Sequence, residues 1–278
     1  MFQRSFTVSL AFAIAFGNAT ALAQNPSADA APRIGQVSRD SVWVPTPERL
    51  IHRMLQIADT TRDDLVIDLG SGDGRVPIHA ARQFGVRAIG IELEANLVRL
   101  SNQSARAEGV EQLVQFIRGD LFEADLSRAT VIALYLSPGA MSALKPRLAA
   151  LAPGTRVVSH AFTLGDWEAD ETIRVEGRMG YLWVVPADLR GSWKLSLPGD
   201  ELRLRIEQKH QALSTVGERA GVRVNVVGAQ VRGREISFTG FDRDGSSRRF
   251  RGRVDDGRMS GEAVGEGGQT LRWTAIRE

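Results

Sequence analysis

The stretch Val66-Ile67-Asp68-Leu69-Gly70-Ser71-Gly72-Asp73-Gly74-Arg75 constrains the fold more than any other part of the chain. An apolar run stops abruptly in three alternate glycines, and helical spacing follows over residues 75–84. Glycine adopts backbone angles that other residues resist, and it lets a ligand or a neighbouring element press on the main chain. A strand handed to a helix through such a turn opens a parallel α/β sheet. The alternation then continues. Residues 65–67, 86–91, 113–117, 130–136 and 155–159 read as strands, and 97–107 and 140–151 as helices. Strands this apolar fit a sheet covered on both faces. Residues 172–176 and 181–185 read as a hairpin closing one edge. Ahead of the turn, apolar residues at helical spacing predict a helix over 47–59, with Thr46 as its N-cap and Pro47 in the first helical position.

The character changes near residue 189. Trp193, Leu195, Leu197, then Leu202, Leu204, Ile206, then Ile236 and Phe238 alternate with polar residues, and turn signals recur every eight to twelve positions. This predicts about eight short strands in a barrel or sandwich. Charge divides the same way, net negative over 24–189 and net positive over 190–278. The expected units are 43–188 and 189–278. Before them, Arg4, an apolar stretch over 6–16 and Ala21-Leu22-Ala23 ahead of Gln24 have the build of a signal peptide over 1–23. A flexible lead over 24–42 follows. The apolar core is short for a transmembrane helix, which needs about 20 residues. The expected location is therefore periplasmic or secreted, the alternative being an uncleaved inner-membrane anchor.

Composition excludes several chemistries. The chain has no cysteine, so no thiolate metal site or cysteine nucleophile, and its four histidines form no metal-ligand spacing. A net charge of +2 gives no global attraction to nucleic acid.

The glycine turn selects among ligands. A phosphate-cradling P-loop needs Gly-Lys-Ser/Thr, which is absent, and the third position of G-x-G-x-x-G falls on Arg75. Asp68 and Asp73 flank the turn instead. Carboxylates repel a pyrophosphate and suit the cationic groups of S-adenosylmethionine. Glu92, at the end of the second strand, can accept from two ribose hydroxyls. Asp120, after the third strand, can take an adenine amino group. Ligands bind at this edge of open α/β sheets.

With these residues in view, 44–186 resembles a class I S-adenosylmethionine-dependent methyltransferase. Val44-Pro45-Thr46-Pro47, Asp68 through Arg75, Gly119-Asp120-Leu121-Phe122 and Leu134-Tyr135-Leu136-Ser137-Pro138 are similar to the small lysine methyltransferases of the ATP synthase c subunit and the adenine nucleotide translocase, and to their bacterial relatives. The resemblance implies a seven-strand Rossmann-like sheet, here followed by the all-β unit it does not cover. It also implies a cofactor site of Thr46, Asp68, Leu69, Gly70, Ser71, Gly72, Asp73, Gly74, Glu92, Asp120 and Leu121. Tyr135, Ser137 and Pro138 lie where the methyl acceptor enters, and His160 is a candidate proton acceptor. The expected reaction is N-methylation of a protein lysine. A small-molecule acceptor, or a non-enzymatic nucleoside-binding module in the periplasm, stands as the alternative. No nucleic-acid partner is expected. Arg249, Arg251 and Arg253, on one strand face, are read as a solvated edge or a contact for an anionic partner.

Overall fold

A computed structural model describes residues 44–241 and 245–278; the leader and lead expected over 1–42 lie outside the described residues. Two β-sheets organise the chain. The first contains β1 (Leu65–Leu69), β2 (Arg87–Glu92), β3 (Val114–Arg118), β4 (Val131–Leu134), β5 (Arg156–His160), β6 (Glu171–Val175) and β7 (Arg178–Val184), in the order β3-β2-β1-β4-β5-β7-β6. The first five strands run parallel, and β7 is antiparallel to β5 and β6. Helices α1 (Glu48–Ile57), α2 (Arg75–Phe84), α3 (Ala95–Ala107) and α4 (Pro138–Ala149) accompany them. Strand order reverses between β1 and β4, so the chain segments leaving these two strands diverge and open a crevice.

Side-chain alternation sorts the strands onto two cores. Val66, Ala133 and Val158 pack with Leu50, Ile51, Met54 and Leu55 of α1. Ile67, Leu69, Ile132, Leu134 and Val157 pack with Met141, Leu144 and Leu148 of α4. Because parity is two, Asp68, Tyr135 and His160 fall on the α1 side at the carboxyl ends of their strands.

The second sheet closes. Strands β8 (Gly191–Leu197), β9 (Asp200–Lys209), β10 (Ala212–Arg219), β12 (Val226–Arg232), β13 (Glu235–Phe241), β14 (Ser247–Asp255), β15 (Arg258–Gly265) and β16 (Thr270–Arg277) form an eight-stranded antiparallel barrel through the β9–β10 pairing. Short β11 (Val222–Val224) pairs only with β10. Inward residues fill the barrel: Trp193, Leu195, Leu204, Phe238, Phe250 and Trp273 are all almost fully buried. Phe238 stacks on Phe250 at 4.5 Å between ring centroids, and Trp273 meets both edge-on. The Trp273 indole covers Gly252, whose partner across the strands is Gly261, and its Nε1 donates to the Arg251 carbonyl at 3.3 Å. Val185 packs in the α4-side core and Ala187 in the barrel core, so the two cores meet across Pro186.

A Cβ on Gly252 would sit 2.4 Å from the Trp273 ring and 2.5 Å from the Ser260 carbonyl oxygen. Gly252→Ala should therefore cost the barrel about 2–3 kcal/mol, read as a lower urea midpoint for the barrel transition with the parallel-sheet signal unmoved.

Candidate active site

The glycine turn after β1 is closed from within. The Gly70 and Ser71 N–H groups donate to the Ile91 carbonyl at 2.9 and 3.0 Å, and the Gly74 N–H to the Ser71 carbonyl at 2.9 Å. The Gly72 N–H donates to Glu92 Oε2 at 2.8 Å, and the Arg75 N–H to Asp73 Oδ1 at 3.3 Å. A phosphate site requires such N–H groups to point at the ligand. Here they are consumed by β2 and by the turn itself, so this helix terminus offers little to an anion.

Positive backbone angles at Gly70, Gly72 and Gly74 make the closure feasible. Gly74 also has no room for a side chain, since a Cβ would lie 2.6 Å from the Phe116 ring and 2.8 Å from Ser101 Cβ. Ser101 of α3 secures the turn by donating its hydroxyl to the Gly72 carbonyl at 3.1 Å.

Three carboxylates meet at this turn in different states. Asp68 is 4% exposed and accepts no hydrogen bond among the described residues. Burial first, then the charges of Glu92 and Asp73, push its carboxyl up to about 8. Asp73 is paired with Arg75, through Nε at 2.9 Å and Nη2 at 2.6 Å. Of the two aspartates that flank the turn, one is ion-paired and the other buried. Arg75 Nη1 also donates to the Thr46 carbonyl at 3.2 Å, tying the turn to the segment before α1. Glu92 accepts from the Gly72 and Glu94 N–H groups through its two oxygens, and a carboxylate offers further lone pairs beyond these. Asp120, exposed, spends Oδ1 on the Phe122 N–H at 2.8 Å. Leu121 and Leu136 lie against Gly70, where a Cβ would meet Leu136 at 3.0 Å. Leu69, beside the turn, points into the α4-side core. Ser71 is buried against Gly90, and its hydroxyl finds no partner.

Across the crevice stands an aromatic wall. Tyr135 and His160 approach to 3.9 Å between ring centroids, and Tyr135 stacks with Phe162 at 6.2 Å. Thr46 is not the cap of α1: Pro47 occupies the N-cap position, and the Thr46 hydroxyl is hydrogen-bonded to His160 Nδ1 at 3.1 Å. A buried threonine facing a buried imidazole satisfies both groups, which a cap at the helix end would not. Burial, aided by the Arg178 charge, lowers the His160 pKa to about 4. An imidazole with so low a pKa is uncharged at neutral pH. His160 is thus held as a neutral ring, with Nδ1 engaged by Thr46. Ser137 caps α4, its Oγ accepting from the Ala140 N–H at 3.4 Å, and Pro138 opens the helix; both are exposed. Phe162, Ser101 and Leu136 were missed by sequence reasoning. A serine inside a helix and an aromatic in a loop carry no spacing signal, and Leu136 enters the sequence reading only within the strand and the Leu134–Pro138 motif, with no role of its own.

On the barrel, Arg249, Arg251 and Arg253 are exposed on β14. Glu262 lies opposite Arg251 and Glu235 opposite Arg253, so two of the three face a carboxylate across the strands. Phe250 points inward between them.

Comparison with known proteins locates the first unit. Residues 68–171 match the model of the ANTKMT methyltransferase domain, which ends before the barrel. A protein-lysine N-methyltransferase of Saccharolobus islandicus is 43% identical over 149 residues, 51% of this chain and 92% of the relative. The adenine nucleotide translocase lysine N-methyltransferase of Mus musculus is 38% identical over 109 residues, 38% of this chain and 47% of the relative. The chain thus spans about half the length of that mouse protein. A crystal structure described as an RNA methyltransferase from Salinibacter ruber, in complex with S-adenosyl-L-homocysteine, superposes with a TM-score of 0.51 at 48% identity, covering 52% of this chain and 96% of that one.

A cationic ligand end favours ionised Asp68, so titration with S-adenosylmethionine at pH 7 should release up to about one proton per site. Affinity should rise from pH 6 towards 8, and Asp68→Asn should remove both effects. Because the folded pKa exceeds the unfolded one, the ligand-free protein should lose stability as pH climbs from about 4 to 8, and the same variant should flatten that slope. In the same calorimetry, Glu92→Ala should weaken binding by about 2 kcal/mol, roughly thirtyfold.

Proposed function

We propose a protein lysine as the methyl acceptor, from the premise that this chain belongs to the ANTKMT methyltransferase family and is an S-adenosylmethionine-dependent methyltransferase. The residues present fit that cofactor. The turn's amides are closed to anions, while a buried, unpartnered Asp68 and the Glu92 carboxylate stand where positive and hydroxyl groups would be received. Asp68, Glu92 and Asp120 would hold it, with Leu121 and Leu136 as apolar cover. When bound, it supplies an electrophilic methyl group on a sulfonium.

The remaining chemistry belongs to the chain. Methyl displacement is in-line, and the protein contributes alignment and exclusion of water more than proton transfer. A lysine must present a neutral amine. The wall of Tyr135, His160 and Phe162 provides aromatic faces and an uncharged imidazole, a setting that disfavours the ammonium form by desolvation. This wall is the observation that carries the lysine reading, and the 43% identity to a protein-lysine N-methyltransferase supports it. A nucleic-acid acceptor is the second reading, favoured by the likeness to the Salinibacter ruber RNA methyltransferase.

Labelled methyl transfer from S-adenosylmethionine to poly-L-lysine and to cell extract, followed by hydrolysis, should yield methyllysines. Label confined to nucleosides, or to small molecules, would overturn the lysine reading. Tyr135→Ala should reduce turnover on poly-L-lysine by roughly a hundredfold and leave cofactor affinity within about twofold.

Export belongs to the same proposal, on the strength of the leader over residues 1–23. Intact mass of the protein recovered from the periplasm should correspond to a chain beginning at Gln24. An uncleaved chain in the cytosol would overturn it.

A further inference from the structure

We propose that the β9–β10 turn of the barrel is a positioning element for the acceptor side of the active site. Lys209, His210 and Gln211 grip the β5–β6 connection, which follows His160 and carries Phe162. The inference rests on the methyltransferase reading and extends it to the unit that the family model does not reach.

Three consecutive side chains of the turn meet three consecutive residues of the connection. Lys209 Nζ lies 3.1 Å from Asp166 Oδ2, the His210 ring stacks on Trp167 at 5.1 Å with planes 8° apart, and Gln211 Nε2 donates to the Glu168 carbonyl at 2.7 Å. Lys145 of α4 reaches the same Asp166 at 2.5 Å, so one carboxylate joins helix, connection and barrel. Asp166 is half-exposed, so its ion pairs contribute little in water. The weight falls on the Trp167 stack and the Gln211 bond. Trp167 is 1% exposed, and its carbonyl accepts from Trp183 Nε1 at 2.8 Å, which seats it in the α4-side core.

His210 has φ 53°, a left-handed conformation that a glycine would adopt more cheaply. The imidazole stands there nonetheless, against Trp167. Gln208 fixes the turn from below: its Nε2 donates to the carbonyls of His210 and Ala187, and its Oε1 accepts from the Leu189 N–H at the seam between units.

The other end of the connection is strained. Ala161 has φ 67°, and the Phe162 N–H donates to the His160 carbonyl at 2.8 Å, so the chain reverses within three residues of the aromatic wall. Such a conformation persists only where the surroundings fix it. Ser159 Oγ holds the Phe162 carbonyl at 2.8 Å from one side, and the barrel holds 166–168 from the other. The barrel's interior is packed with aromatic side chains, so its contribution is made from outside.

The test uses the full chain with His210→Gly and Gln211→Ala together; glycine keeps the turn's conformation while the stack and the amide bond are lost. Hydrogen exchange over 161–170 should quicken at least tenfold, with the glycine turn and the barrel strands unchanged. With poly-L-lysine as acceptor, KM should rise about fivefold while KM for S-adenosylmethionine stays within about twofold. His210→Phe, which restores a ring on Trp167, should retain protection and acceptor KM. Unchanged exchange in the double variant overturns the proposal, as does faster exchange with an unmoved acceptor KM or an equal rise in both KM values. A wild-type protein that does not label poly-L-lysine counts against the lysine reading alone, and the exchange measurement then decides the clamp by itself.

Discussion

The hydrogen bond from the Gly72 N–H to Glu92 is the constraint on which the cofactor site depends. It draws the turn after β1 onto the end of β2, while the Ile91 carbonyl takes the two preceding amides. Once those donors are spent, the helix terminus behind them loses most of its attraction for a phosphate. What remains facing the crevice is acidic. An ionised carboxylate in such a place is destabilised by burial and by its neighbours, and Asp68 responds by keeping its proton. The same geometry that disfavours an anion thus leaves a buried acid that a cationic ligand would ionise. Glu92 is the scaffold in this arrangement, and on the proposed reading a binding group as well, so its loss should be felt in the turn as well as in ligand affinity.

Strand parity supplies the second half of the site. Val66, Ala133 and Val158 are buried under α1, so residues two positions further along each strand stay on that side and emerge at its carboxyl end. Asp68, Tyr135 and His160 are these residues. No loop has to search for the arrangement, because the core that stabilises the sheet also aims them. Thr46 joins them from the segment entering α1, and its bond to His160 links the first helix to the far strand.

This division explains what could be read from the chain. The glycine turn, the acids at successive strand ends and the break near residue 189 follow from local chemistry and periodicity, and the structure has the sheet and the barrel they imply. Thr46 beside Pro47 carries the same residue types as a helix cap, and only a partner 114 positions away distinguishes the two outcomes. Arg75 reads as a helix residue until its guanidinium folds back on Asp73. The low basicity of His160 comes from burial beneath α1, which no feature adjacent to it in the chain encodes. Ser101 and Phe162 act through contacts made in tertiary space, so their roles have no period to betray them. The barrel was legible as architecture, from alternation, and silent as to purpose, because its packing residues look alike whatever the outside touches.

That silence has a physical source. Each barrel strand gives one face to the interior, which Trp193, Phe238, Phe250 and Trp273 fill, so function must be carried by outward residues and by turns. The outward arginines of β14 alternate with opposing glutamates across the strands, a pattern that keeps a wall hydrated and resists edge pairing without defining a partner. The turn at His210 differs in kind. It accepts a left-handed backbone, sends three adjacent side chains to one segment, and does so where that segment leaves the aromatic wall. A parallel sheet can position a cofactor with strand ends alone, but its acceptor side is built from connections, which are the least constrained parts of such a fold. Fastening one of those connections to the barrel extends the barrel's order to the segment that follows the aromatic wall, which is how the proposed clamp would align an acceptor.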